Sequence, residues 1–371
     1  MIMNRKMQYY KIMLTMKSPV HIGSGRTLKK KEYYYDSIRK KVKIIDLEKF
    51  AVLINSKGLF ESYLEYMSRP GGYDLCEYFK RNKITNSELD SVSAYEIATS
   101  DLVFDKKKFD INTFVKDAYG QPYIPGTSLK GCLRTAVLAN YIMNSDLVYD
   151  DNRTSVRTAN YRAKPKKLLK QEEEEIQVKA FNTLNRLSRK PNNAVNDIMQ
   201  GIIISDSEPL DTDCLTLCQK NDMHLDGKIT NLPIYMECIK PGTCVTFDLM
   251  INESLSGGIT ANFILESVKL FAETYSRCFM NEFYETPPLL SDNTIYIGGN
   301  TGFPTTTVVY NLFGKEEGKK ITVKILSALG FENKNGGDIL LPVSPHILKT
   351  TVFDKHIYRM GEAEISIQRK E

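Results

Sequence analysis

The sequence predicts an α+β fold in which a ferredoxin-like or RRM-like core is used twice, with helical and loop insertions. Two observations carry this expectation. Strand and helix patterns mix without strict alternation, which argues against a doubly wound parallel sheet. A chain of 371 residues exceeds one small domain and can bury two cores. The expected division is 1–200, with an insertion at about 47–119, and 201–371.

The elements follow from the pattern in order. Tyr9 to Met16 alternates as a strand and runs into the glycine turn Ser18-Pro19-Val20-His21-Ile22-Gly23-Ser24-Gly25. Tyr33–Tyr35 and Val42–Ile45 read as a hairpin around 36–41. Leu47 to Phe79 is mostly helical up to the Pro70-Gly71-Gly72 break, and Ser87 to Tyr119 reads as polar and irregular. Pro125 and Gly126 break the next extended run. Thr127 or Ser128 then caps a helix to about Tyr141 carrying Leu129, Leu133, Val137 and Leu138 on its apolar side. An acidic helix is expected over about 166–187, and a short buried strand at Ile202-Ile203-Ile204. Two strands, Pro233–Cys238 and Thr243–Ile251, flank Lys240-Pro241-Gly242, and Ala261 to Phe279 has helical amphipathicity. The β-branched run after Pro304 argues against a helix directly following the glycine loop.

With 42% hydrophobic and 26% charged residues, the composition is that of a soluble globular protein, and no apolar run of membrane-spanning length occurs. Residues 1–11 lack a secretory pattern, so the cytoplasm is the expected location. Seven cysteines, an odd number set mostly among apolar neighbours, fit reduced core thiols. Cys214, Cys218, Cys238 and Cys244 lack zinc-knuckle spacing, and Asp206, Glu208, Asp211 and Asp213 read as turn residues. No metal and no cofactor is expected.

The net charge is only +5, but cations cluster. Arg153, Arg157, Arg162, Lys164, Lys166, Lys167 and Lys170 occur without one acid among them and with Tyr161 interleaved. A second run holds Arg26, Lys29, Lys30, Lys31, Arg39, Lys40, Lys41 and Lys43 around Tyr33, Tyr34 and Tyr35. Cations for phosphates and aromatics for base stacking are the ingredients of single-stranded RNA binding, although such runs are often only solvated loops. The helix start at Thr127 and Ser128, with Lys130 and Arg134 one turn apart, offers backbone N–H groups and charge to an anion. The same residues also suit an ordinary helix start.

The string Pro125-Gly126-Thr127-Ser128-Leu129-Lys130-Gly131-Cys132-Leu133-Arg134 resembles the signature of the RAMP superfamily of CRISPR proteins. The Ser18–Gly25 loop, Ser205-Asp206-Ser207, Pro233 to Thr243, and the glycine-rich Ile295-Tyr296-Ile297-Gly298-Gly299-Asn300-Thr301-Gly302-Phe303 resemble further landmarks of that superfamily, in the same order. The arrangement is most similar to the cap subunit of type III-A Csm effector complexes. The resemblance implies two RAMP domains and binding of the guide RNA's 3′ portion. It also implies contact with the repeating backbone subunit and a part in guide maturation, in which host nucleases are candidate partners whose docking on this chain the sequence leaves open. RNA contact is expected at His21, Gly23, Ser24, Gly25, Arg26, Thr127, Ser128, Lys130, Arg134, Arg153, Arg157, Tyr161, Arg162, Gly298, Gly299, Asn300 and Gly302. The glycine loop lacks dinucleotide-fingerprint spacing.

Catalysis is not expected. The backbone RAMP subunit cuts target RNA with an aspartate shortly after its His-Ile-Gly segment, whereas Arg26, Thr27 and Leu28 occupy that region here. Asp36 is a weak candidate that a hairpin turn also explains. His21 is the other, since some RAMP-like endoribonucleases use a histidine base on a ribose hydroxyl without metal. The rival readings are such a processing endoribonuclease and a stand-alone single-stranded RNA binder.

Overall fold

A computed structural model describes residues 6–69, 74–99, 101–102, 110–145, 148–284 and 291–370. The expected break at Pro70-Gly71-Gly72 lies outside them. The α+β expectation holds, in two sheets.

The first sheet has five antiparallel strands in the order Thr294–Tyr296, Glu362–Arg369, Met7–Met16, Cys244–Asn252, Ile202–Ile204. Its central strand alternates as strand geometry requires: Ile12, Leu14 and Met16 are buried, while Lys11 and Met13 face outward. Leu14 lies between Val245 and Ile365 in the register, so three apolar side chains meet on one face. Helices Gly126–Asn144 and Ala261–Cys278 pack together against this sheet. Polar contacts cross their interface as well: Asn140 Nδ2 donates to Ser267 Oγ at 3.0 Å, and Thr274 Oγ1 donates to Met143 Sδ at 3.6 Å.

The second sheet has nine strands. Seven run in the order Gly23–Leu28, Ile111–Phe114, Ile229–Ile239, Leu215–His224, Ser93–Ala98, Lys41–Ile45, Tyr33–Asp36. Ile347–Phe353 pairs with the end of Leu215–His224, and His356–Arg359 pairs with Ile347–Phe353. One continuous hydrophobic core joins the two sheets, from Ile12 and Leu14 to Tyr33, Phe114, Leu217 and Tyr235.

Both sheets take strands from each side of residue 200, so the expected sequential division at 200/201 does not describe them. The first strand needs partners that arrive more than two hundred residues later, and local patterning carries no record of that pairing. The insertion is also narrower than 47–119. Its helices Leu47–Ser56, Phe60–Ser68, Leu75–Arg81 and Asn86–Ser91 enclose a separate aromatic core including Phe50, Tyr66, Tyr78 and Phe79. The Tyr66 and Tyr78 rings lie 4.7 Å apart. The segment expected to be irregular instead supplies the end of this subdomain and strands Ser93–Ala98 and Ile111–Phe114. Both strands are too short to dominate a periodicity window. A helix at Val309–Leu326 begins after a 3₁₀ turn, Phe303–Thr305, beyond the β-branched run that argued against it.

Candidate nucleic-acid interface

Three of the sequence landmarks converge on one open cleft of about 420 Å³. Its walls include Gly23, Thr127, Ser128, Gly131, Thr135, Gly298, Gly299 and Thr301. The glycine loop is seated directly on the His21 segment, where Gly299 N donates to the His21 carbonyl at 2.8 Å. A Cβ at Gly298 would lie 2.3 Å from that same oxygen, and its φ is +90°. Glycine is therefore required at this position for both close approach and conformation. Gly25 and Gly302 also take positive φ. Asn300 adopts φ 65° and turns its amide to Met236 Sδ at 3.3 Å, away from a role as a free RNA contact. Ser24 Oγ is bonded to Thr113 Oγ1 at 2.6 Å and Arg26 is paired with Glu32 at 2.9 Å, which ties this loop to the neighbouring strand and turn.

The signature helix begins at Gly126, and neither Thr127 nor Ser128 caps it, contrary to expectation. The cap comes from 80 residues away: Gly126 N donates to Asp206 Oδ1 at 2.8 Å. Ser207 Oγ accepts from Ile124 N at 2.9 Å, and Ser207 N donates back to the Ile124 carbonyl at 3.0 Å. The 205–207 segment is thus a strap across the helix start. A carboxylate already faces the positive end of the helix, which weakens the expected phosphate site on the dipole.

The two cations of the signature have different fates. Arg134 is held within the protein: Nε donates to Gln177 Oε1 at 3.0 Å, Nη1 to Asp197 Oδ2 at 2.8 Å, and the guanidinium lies 4.0 Å from the Phe181 ring centroid. As a structural staple it is corrected from a free phosphate contact. Lys130 is half-buried, and burial lowers its pKa, partly offset by Asp197 and reinforced by Arg134.

His21 is buried, and Nδ1 donates to the Glu237 carbonyl at 2.7 Å, which leaves Nε2 as the acceptor of the neutral ring. Burial lowers its pKa, with the Glu237 hydrogen bond opposing. Beneath it, the buried Glu237 carboxylate accepts from Tyr95 Oη at 2.6 Å, from Phe114 N at 2.8 Å and from Lys116 Nζ. The sequence reading missed this network, although one acid inside the apolar run of 234–239 was its signal. His346 pairs with Asp338 at 2.6 Å and lies against His224. His224 is at the other end of the strand whose Leu217 faces Glu237, on the order of 23 Å away. Asp36 accepts from Ile38 N and Arg39 N, both at 3.0 Å, and so closes its hairpin turn.

The long basic run is partly neutralised. Arg153 donates to the Leu312 carbonyl and to Asp150, both at 2.7 Å, and Arg157 makes a two-pronged pair with Glu317. Both are therefore corrected from free RNA contacts. Tyr161 donates to the Val156 carbonyl at 3.0 Å, whereas Arg162, Lys164, Lys166 and Lys167 are exposed. In the other run Tyr33 is buried in the core, and Lys31 donates to the carbonyls of Tyr66, Met67 and Arg69. Cys218 and Cys238 pack with Met236 and Met360. Among the described residues no His, Cys, Asp or Glu cluster could hold a metal, and no helix is long and apolar enough to cross a membrane.

Segments of three of the landmarks that resemble the RAMP superfamily thus wall one cleft on a two-sheet α+β scaffold. The model of the RAMP superfamily matches residues 13–339, and the chain belongs to that superfamily. It is similar to curated relatives named CRISPR system Cms protein Csm5. The relative from Mycobacterium tuberculosis is 27% identical with 100% of both chains covered. The one from Enterococcus italicus is 27% identical over 93% of each chain, and the one from Streptococcus thermophilus is 26% identical over 81% of this chain and 80% of its own. Two solved structures share the fold. A chain of a cryo-EM Csm–crRNA–target RNA ternary complex of a type III-A CRISPR-Cas system has TM-score 0.65 at 19% identity, covering 96% of this chain and 100% of its own. The crystal structure of T.onnurineus Csm5 has TM-score 0.61 at 19% identity, covering 95% and 99%.

Proposed function

We propose that this chain is the cap subunit of a type III-A Csm effector complex. It holds the 3′ portion of the guide RNA, abuts the repeating backbone subunit and takes part in guide maturation in the cytoplasm. The observation that carries this reading is the meeting of the His21–Gly23 turn, the Thr127–Thr135 helix face and the Gly298–Thr301 loop around one cleft. Glycine backbone and hydroxyl groups there offer neutral donors and acceptors to a ribose-phosphate strand. Gly23, Ser24, Thr127, Ser128, Gly298, Gly299 and Gly302 form the path, and Lys130 and Arg162 supply charge. The role is noncatalytic: His21 is buried, its Nδ1 is committed to a carbonyl, and the neighbouring carboxylate of Glu237 is occupied by three donors.

The test is reconstitution of the complex with and without this chain on an end-labelled repeat-spacer RNA, reading guide retention and 3′-end position. Omission is expected to leave the 3′ portion unprotected, with no cutting by the purified chain. Metal-independent cleavage by the chain alone, abolished by His21→Ala, would replace this reading with the endoribonuclease one.

A further inference from the structure

A second cavity, of about 410 Å³, opens beside the cleft, and the two share Thr135 and Thr306 in their walls. Its lining is mainly apolar, with Leu138 from the signature helix, Ile176 from the acidic helix Lys170–Phe181, and the half-buried rings of Phe303 and Phe313. Phe303 directly follows Gly302, so the loop that walls the cleft also delivers an aromatic ring to the groove. Among the described residues no Lys or Arg is in its lining, although the Arg157 guanidinium, paired with Glu317, lies 5.6 Å from the Phe313 ring centroid. The polar groups in its wall include Glu172, Glu173 and Gln177. Glu172 is half-buried and makes no ion pair among the described residues. Gln177 commits its carbonyl oxygen to Arg134, which leaves its amide N–H groups as donors.

The nearby arginines, Arg134 and Arg157, are already paired with Asp197 and Glu317, and unpaired carboxylates in an apolar wall repel phosphate. They favour a flat neutral ring whose edge carries N–H donors, and the shared wall connects the groove to the RNA path. We propose that one nucleobase of the RNA in the cleft turns out of the strand and inserts into this groove. Its face lies against Phe303 and its amino edge points to Glu172. The inference rests on the RNA-binding reading above. It assigns the groove a preference for bases with an exocyclic amine over uracil, whose carbonyl oxygens face a carboxylate unfavourably.

The test uses the full chain and fluorescent RNAs of one length: an all-uridine strand, the same strand with one central cytidine, and the same strand with one central abasic site. The cytidine strand is expected to bind on the order of tenfold tighter than the abasic one, the size of one base–aromatic stack, and tighter than the all-uridine strand. Glu172→Ala, alone and with Glu173→Ala, should erase the cytidine preference while leaving all-uridine binding within about twofold. Phe303→Leu, which keeps an apolar side chain in place, should reduce the penalty of the abasic site. Equal binding of all three strands overturns the base pocket and leaves the cap reading standing. That is also the outcome if a protein segment from a neighbouring subunit fills the groove. A cytidine preference that survives the Glu172 variants also overturns it. Failure of the chain to retain any RNA overturns both readings.

Discussion

Gly126 donates its backbone N–H to Asp206 Oδ1 at 2.8 Å, so the start of the signature helix is capped by a carboxylate from a strap 80 residues further along the chain. The same strap explains why position 126 is glycine. A Cβ there would lie 2.3 Å from the Ser205 carbonyl oxygen and 2.6 Å from that of Ile204.

Gly126→Ala is therefore expected to destabilise the protein by about 1–3 kcal/mol through overpacking, and Asp206→Ala by about 1 kcal/mol through loss of a cap. Urea midpoints measure both. An unchanged midpoint for Gly126→Ala would show that the strap moves aside freely. Asp206→Asn, which removes the charge and keeps an acceptor, should leave RNA affinity equal or higher.

Lys130 and Arg134 should separate in a salt titration of RNA binding. If Lys130 neutralises one phosphate of a single strand, Lys130→Ala lowers the log–log slope by about 0.7. Arg134 is already paired with Asp197 and stacked on Phe181. Arg134→Ala should leave the slope unchanged and lower the melting temperature. Equal slope changes for the two variants would return Arg134 to the RNA path.

The same comparison applies to Arg157 and Arg162. Arg157 is bound by both oxygens of Glu317, whereas the Arg162 side chain is exposed. Arg162→Ala should weaken guide binding in low salt, and Arg157→Ala should change it less. The opposite order, measured by filter retention, would mean that RNA displaces Glu317.

Burial holds the His21 pKa below its ordinary value of 6.5. A folded-state pKa below the unfolded one means that the unfolded chain binds the extra proton first. The stability contributed by neutral His21 is therefore present above pH 6.5 and is lost as the pH falls below it towards the folded pKa. The melting temperature should decline between pH 7 and 5, and His21→Asn should flatten that decline whatever its effect at pH 7. An identical pH slope in the variant would show that other groups control the acid response.

Glycine and proline backbone demands made part of the candidate site legible. Gly298 needs positive φ and close contact, and Pro125-Gly126 marks a helix start, because both are backbone demands that leave a residue-type signature. Glu237, Lys116 and Tyr95 were not legible as a network. Tyr95 and Glu237 lie on two strands of the second sheet and Lys116 lies two residues beyond a third, Ile111–Phe114; these segments meet only in the fold, and each residue alone is ordinary for its place.

What the sequence determined by itself is local: the alternation of the first strand, the apolar stripe and start of the signature helix, the glycine loops, and a string of landmarks sufficient to indicate the RAMP superfamily. Tertiary structure decided which cations remain available and how the sheets are assembled. Arg134, Arg153 and Arg157 read as an RNA-binding set until folding brings Asp197, the Leu312 carbonyl and Glu317 to them. The central strand of the first sheet finds its neighbours at Cys244–Asn252 and Glu362–Arg369. The physical reason is common to both: ion pairing and strand pairing are satisfied by whatever the fold brings within a few ångströms, and separation along the chain does not reveal that distance.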